Sequence, residues 1–360
     1  MKNRRLIFAF ILFDIITLGV AYLCFWPTPI DPDAWTPPVA PALEGQYAPN
    51  DALSKVTRLG QGAFSGAEDV AVDSQGRIYA GSIDGKIFRF PAGGTGQPEF
   101  FANTGGRPLG LKCDKNDNLI VADCKKGLLS VAQNGTITTL STEANGVKFK
   151  FTDDLDIGPD GTIYFTDASS KFDQPVYRLD FMEHRPNGRL LAYDPMEKST
   201  RVLIEKSYFA NGVTVAPDGQ SLLLCETSKY RVLRYWIAGE KKGKTETFIE
   251  NLPGFPDGIS TGSNGIYWIS LFSRRNPVLD SMLPRPFWRS FALRLPQIFQ
   301  PKAKHYGFVV GVNNEGKVVK NLQDPSPQSF APVTNTIEYK GTLYFGSLEA
   351  DGIASLPVPQ

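Results

Sequence analysis

Short runs in which apolar and polar residues alternate recur along most of the chain. Val70 and Val72, or Leu155 and Ile157, show the period of two expected of a strand with one face turned inwards. Each run leads into a turn rich in Asp, Asn and Gly, and an apolar-aromatic strand follows. The copies read GAEDVAVDSQGRIYAG (66–81), RPLGLKCDKNDNLIVAD (107–123), FTDDLDIGPDGTIYFTD (151–167), FANGVTVAPDGQSLLLCE (209–226) and GFPDGISTGSNGIYWIS (254–270), with a degenerate sixth, FAPVTNTIEYKGTLYFGS (330–347). Further strand-like runs follow the hairpins, among them KIFRF (86–90), GLLSV (127–131), RLLAY (189–193) and RVLRYW (231–236). Six copies at a spacing of roughly 50 residues match a four-stranded propeller blade. The pattern predicts an all-β, six-bladed β-propeller over 51–360.

The N-terminus breaks this pattern. Leu6 to Trp26 is an almost unbroken apolar run, and about 20 residues span a bilayer as a helix. Asp14 within it costs roughly 3 kcal/mol on insertion scales, but the Leu, Ile, Phe and Val residues around it outweigh that. Lys2, Arg4 and Arg5 precede the run, whereas Asp31 and Asp33 follow it. The bias predicts a cytoplasmic stub at 1–5, a single-pass transmembrane anchor at 6–26, and a propeller on the periplasmic or extracytoplasmic side. A cleaved signal peptide is the alternative, with a weak small-residue site near Gly19 and Ala21. Seven prolines in 27–50 predict a semi-rigid, extended linker.

Composition narrows the function. Lys+Arg number 38 and Asp+Glu 37, a balance that argues against a nucleic-acid partner. Two His and four Cys argue against a His-rich zinc site or a dense disulfide framework. Cys113 and Cys124 flank one hairpin at opposite ends, so no disulfide is expected between them.

The turn glycine of each hairpin serves as a ruler. Eight residues before Gly76, Gly161, Gly219 and Gly265 stand Glu68, Asp153, Asn211 and Asp257. The second repeat has Leu109 there and the sixth Val333, beside Thr334 and Asn335. The first strand of every blade lines a propeller's central channel, so these positions converge on the axis. Carboxylates gathered there repel one another unless a cation neutralises them. Hard oxygen donors without His or Cys suit calcium. Asp154, Thr334 and Asn335 are further axial candidates. A separate reading takes the ion as purely structural. Asp123, Asp167 and Glu226 recur at the ends of second strands, where inter-blade hydrogen bonds are expected.

GRPLGLKCDKNDNLIVADCKKGLLSV (106–131), FTDDLDIGPDGTIYFTDASSKF (151–172), HRPNGRLLAYDP (184–195), YFANGVTVAPDGQSLLLCETSKYRVLRYWI (208–237), LPGFPDGI (252–259) and YGFVVGVNNEGKVV (306–319) resemble the six-bladed propellers of the gluconolactonase/SMP-30, paraoxonase and strictosidine synthase superfamily. The resemblance is greatest to strictosidine synthase-like proteins, including the adipocyte plasma membrane-associated type, and covers nearly all of 60–355. It implies an axial calcium held by Glu68, Asp153, Asn211 and Asp257, and hydrolysis of lactones or of aryl or carboxylic esters, with Asp257 as base or nucleophile. Asp153 replaces the family's Asn and adds negative charge. The last-blade Glu of strictosidine synthase proper is missing, since Val333, Thr334 and Asn335 stand there, which disfavours amine–aldehyde condensation. His184 and His305 match neither member of the paraoxonase pair. A non-catalytic binding propeller with a structural calcium remains the alternative.

One segment stands outside the repeat. The insertion 276–306 carries Arg285, Arg289, Arg294, Lys302 and Lys304 against one acid, Asp280, interleaved with Phe287, Trp288, Phe291, Leu293, Leu295, Ile298 and Phe299. A basic, aromatic, partly helical segment fits either a membrane surface or a lid, with Phe287, Trp288 and Arg289 as contacts. A loop packed on the propeller's side is the plain alternative.

Overall fold

In the computed structural model, which describes residues 2–359, six four-stranded antiparallel sheets follow one another along the chain. Met1 and Gln360, the outer bounds of the expected stub and propeller, lie outside the described residues. The innermost strands are Val70–Val72, Pro108–Cys113, Thr152–Ile157, Ala210–Val215, Gly254–Thr261 and Thr336–Tyr339, which define blades one to six. Blades one to five run outwards in chain order. Blade six takes its outermost strand, Thr57–Leu59, from the N-terminal side, paired with Ile353–Pro357.

The alternation along each strand builds the core. In the second strand of every blade, odd and even residues face different neighbours. Tyr79 packs with Leu111 and Val121 towards blade two, while Ile78 and Ala80 pack with Tyr344 and Ile353 of blade six. Ile120 joins Phe165 of blade three, and Leu223 joins Ile269 of blade five. Both faces of each sheet are therefore buried, which explains why these strands read as near-continuous apolar runs. The turn position used as a ruler has positive φ throughout: Gly76 at 80°, Gly161 at 85°, Gly219 at 65°, Gly265 at 70° and Gly341 at 78°. Blade two places Asp117 there at 60°, in the left-handed region that Asp tolerates.

The chain divides into two compact units, and the propeller is one of them. The other gathers the residues up to Pro37, Arg178–Arg185 and Asn276–Lys302. It contains α1 (Lys2–Phe25), α2 (Arg178–Glu183), α3 (Pro277–Met282) and α4 (Pro286–Arg294). Leu6–Phe25 of α1 has a mean hydropathy of 2.4 and meets the length and composition of a membrane anchor or a signal sequence. The Pro-rich linker is not a free spacer. Asp33 N–H donates to Glu183 O at 2.9 Å and Trp35 stacks on His184, whereas Pro38 O and Val39 O accept from Arg275 and Asn251 of the propeller.

Candidate metal centre at the propeller axis

The inner strands of blades two to five each carry a register slip at the same place: Pro108/Leu111, Thr152/Leu155, Ala210/Val213 and Pro256/Ile259. A bulge adds a residue and re-aims the side chains around it. Asp153, Asn211 and Asp257 sit in these slips, and Glu68 stands two residues ahead of Val70 in blade one. All four are buried.

The spacing argument placed these groups together, and their electrostatics agree. Burial pushes Glu68 well above the usual carboxylate range, and Asp153 and Asp257 push it further. Burial, then Asp257 and Asp154, do the same to Asp153, while Arg107 opposes them. Burial raises Asp257 to about 8, against a hydrogen bond from Asn211 Nδ2 to its Oδ1. Asp153 Oδ2 and Asp257 Oδ2 are buried and accept no hydrogen bond.

Those orphaned oxygens test the fit of a cation. A buried acceptor without a donor is costly, and a hard cation satisfies several at once. The donor set suits calcium in kind. Holding an ion with all four groups requires Asn211 to present Oδ1 rather than Nδ2, which an amide flip provides. As placed, no three Asp, Glu, His or Cys side chains among the described residues enclose a metal position, so closure also needs side-chain movement.

The residues one step further along the inner strands brace the ring. Leu111 N–H donates to Asp69 Oδ2 and Val213 N–H to Asp154 Oδ2, both at 2.8 Å. Asn335 Nδ2 donates to Asp69 Oδ1, and Thr334 Oγ1 to Glu68 O, both at 2.6 Å. Asp154, Thr334 and Asn335 thus reach the axis, but their polar atoms tie neighbouring blades together instead of standing free. Past the ring lies a cavity of about 190 Å³ whose lining includes Asp69, Asp154, Asp156, Lys112 and Thr214, and none of the four expected ligands. Lys112 pairs with Asp156 at 2.8 Å there. Burial pushes Asp156 up, but Lys112 and two backbone N–H groups outweigh it and hold the carboxyl below its usual value.

One residue of this site escaped the sequence reading. Two positions before the axial residue, blades three, four and five carry Phe151, Phe209 and Phe255, whereas blade two carries Arg107. Its Nη1 donates to Gly66 O at 2.7 Å. Burial lowers its pKa, while Glu68, Cys124, Asp123 and Asp153 favour its charge. A basic residue in a column of Phe was the available signal. Phe209 holds φ of 59°, an uncommon value for a bulky residue next to Asn211.

Other expected residues fall as follows. Asp123, Asp167 and Glu226 accept from the N–H groups of Arg107, Phe151 and Tyr208, tying each incoming loop to the end of a second strand. All four cysteines are free. Phe287 and Trp288 are half exposed, but Arg289 is fully buried. Its Nη1 donates to Met182 O at 2.9 Å and Glu183 O at 3.1 Å, and its Nη2 to Asp33 O. The expectation that Arg289 contacts a lid site or membrane is therefore corrected: its guanidinium satisfies the carbonyls that hold its own unit together.

A strictosidine synthase family profile matches residues 153–240, and a strictosidine synthase-like N-terminal profile matches 45–90. Strictosidine synthase-like protein 4 of Arabidopsis thaliana is 36% identical over 308 residues, covering 81% of this chain and 78% of its own. The chain belongs to the strictosidine synthase-like family. The adipocyte plasma membrane-associated protein of Mus musculus is 33% identical over 356 residues, with 91% of this chain and 84% of the relative covered. Among solved structures, a gluconolactonase from Xanthomonas campestris superposes with a TM-score of 0.60 at 15% identity, covering 84% of this chain and 88% of its own. The calcium-binding protein regucalcin from Agrobacterium tumefaciens gives 0.55 at 14%, covering 83% and 90%. Such distant likenesses establish the propeller fold. Asp153, Asp154 and Asn211 fall inside the first matched segment and Glu68 inside the second, whereas Asp257 lies beyond both.

Proposed function

We propose that the chain is a membrane-anchored, calcium-dependent hydrolase of lactones or of aryl or carboxylic esters, with its propeller on the extracytoplasmic side. The observation that carries this reading is the burial of Glu68, Asp153 and Asp257 together with two unsatisfied carboxylate oxygens at the axis. Glu68, Asp153, Asn211 and Asp257 would hold the ion. A bound calcium supplies polarisation of an ester carbonyl and a lowered pKa for water. The chain's own part is positional. With the Asn211 amide turned to present Oδ1, Asp257 Oδ1 loses its donor and would be the oxygen that takes a proton from the attacking water, while Oδ2, which has no donor, would meet the ion. Arg107 partly offsets the acids, and Phe151, Phe209 and Phe255 bring apolar surface next to the axial residues. Of the structures that share the fold, one is a gluconolactonase and another is described as calcium-binding, and the reading joins those two properties. Lys2, Arg4 and Arg5 before the apolar span Leu6–Phe25, against Asp31 and Asp33 after it, support the orientation.

The second reading, a binding propeller whose calcium is structural, is favoured by the near-complete burial of the four ligands. Turnover separates the two. The full chain in detergent is assayed on lactones and aryl esters, with EGTA and then with calcium restored. The hydrolase reading expects activity lost on chelation and regained with calcium, and a loss of at least ~100-fold in Asp257→Asn, in the range of general-base contributions. Calcium-independent rates, or wild-type rates in Asp257→Asn, sink it.

A further inference from the structure

We propose that α4 and the turn after it form a lipid-docking platform, seated in the headgroup layer of the membrane that α1 crosses, with a preference for anionic lipid. The inference rests on α1 remaining in the mature chain. It needs nothing from the axial site.

The position of the platform follows from Arg294. An α-helix leaves its last carbonyls without intrahelical partners. At the end of α1 the carbonyls of Leu23 and of Trp26, the residue after the helix, are met by the Arg294 guanidinium, Nη1 to Leu23 O at 2.9 Å and Nε to Trp26 O at 2.6 Å. The C-terminal end of α4 is thus fastened to the point where the membrane-length helix leaves the hydrocarbon. Helix C-termini favour a cation, so the contact is electrostatically sound as well as geometric.

What stands exposed beside that point is apolar and aromatic. Phe287 and Trp288 on α4 are 49% and 50% exposed, and Ile298 and Phe299 in the following turn are 75% and 69% exposed. Phe287, Trp288 and Phe291 contact one another, with ring centroids 5.3 to 6.2 Å apart. Four large side chains left in water within thirteen residues are unusual for a soluble surface. Aromatic side chains concentrate at the membrane–water interface, where an apolar ring meets a polar layer.

Charge selects the occupant. Arg285 and Lys302 are exposed at either side of these residues, and the only acid in 276–302, Asp280, is half-buried. Cations around an aromatic patch match anionic phosphate-bearing headgroups within a Debye length of the surface, on whichever leaflet these stand. Arg289 is not among them, because its charge is spent inside the unit. A second copy of this surface would bring like charges together, which disfavours self-pairing.

The test uses the full chain in nanodiscs of phosphatidylcholine, with and without phosphatidylserine, doped with lipid brominated high on the acyl chain. Tryptophan quenching is compared for wild type and Trp288→Phe. The substitution is expected to remove roughly half of the bromolipid-quenched emission, Trp26 supplying the rest. Equal quenching in the two proteins overturns the proposal. A second probe sits elsewhere: Phe299→Cys labelled with an environment-sensitive dye is expected to shift to the blue in nanodiscs and to be quenched by bromolipid. Water-like emission overturns the proposal, and so does a blue shift without bromolipid quenching, which marks a protein occupant. Arg285→Glu with Lys302→Glu is expected to weaken the quenching that phosphatidylserine adds and to leave the phosphatidylcholine signal unchanged. An intact mass lacking α1 also overturns the proposal and is distinguishable from the other outcomes.

Discussion

Asp257, Asp153 and Glu68 each hold a proton more tightly in the folded protein than in the unfolded chain, first because they are buried and, for Asp153 and Glu68, also because other acids face them. Unfolded carboxyls titrate near pH ~4. Between that value and the raised folded values, the folded state binds more protons than the unfolded state, so stability falls as pH rises. For Asp257 the window closes at about 8. The chelated protein should therefore melt at progressively lower temperature from pH 5 to pH 8.5, as read by scanning fluorimetry. Calcium binds the ionised form, so it should restore stability mainly at the alkaline end, by about 2.7 kcal/mol at a hundredfold excess over Kd. A melting temperature indifferent to pH and to calcium would mean that the acids do not share an ion site. At this scale the sequence revealed much. The four axial groups, Glu68, Asp153, Asn211 and Asp257, followed from an eight-residue spacing, because repeats place equivalent positions at equal depth. Arg107 was missed because no carboxylate pattern points to a cation; only its misfit in the Phe151, Phe209 and Phe255 column does.

At the scale of single strands, the bulges do what the spacing could not reveal. The sequence locates Asp153 and Asp154 side by side, but not that one joins the acidic cluster while the other accepts the next blade's N–H. Register slips in the inner strands of blades two to five decide that. Two glycines make the packing feasible. A Cβ on Gly212 would lie 2.5 Å from Asp257 O and 2.6 Å from Ile259 N, both backbone atoms of the adjacent inner strand. A Cβ on Gly258 would lie 2.7 Å from Thr334 O. Backbone cannot yield as a side-chain tip can. Gly212→Ala is therefore expected to cost about 1–3 kcal/mol, the range for overpacked cores. Its calcium response should shrink too, since the strand it displaces carries Asp257. Chemical denaturation with and without calcium measures both. An unchanged midpoint would show that the inner strands are less tightly opposed than these distances require.

At the scale of the whole chain, the N-terminal segments serve two units separately. Thr57–Leu59 completes blade six, with Thr57 opposite Ser355, so the propeller is closed by strands from far apart in sequence. Nothing in TRL distinguishes an edge strand from a loop until its partner is known, and the repeat ended before reaching it. The Pro-rich segment was legible as extended backbone but not as packed backbone. Proline lacks the N–H for a ladder yet still offers a carbonyl, and neighbouring side chains use such carbonyls here. In the helical unit, Asp33 O accepts from buried Arg289, Trp35 N–H donates to Leu283 O at 3.2 Å, and Trp35 stacks on His184 with ring centroids 4.5 Å apart. These contacts make a sharp prediction about truncation. A chain starting at Pro27 keeps them, whereas one starting at Pro38 leaves Arg289 short of an acceptor and uncovers the His184 ring. Trypsin should spare Arg289 in the first and cut there in the second, and amide exchange across Pro286–Arg294 should quicken accordingly. Exposed Lys302, followed by Ala303, serves as the internal control, cut in both. Equal protection of Arg289 in the two chains would assign the stability of the insertion to α2 and α3 instead of to the segment that follows the membrane helix.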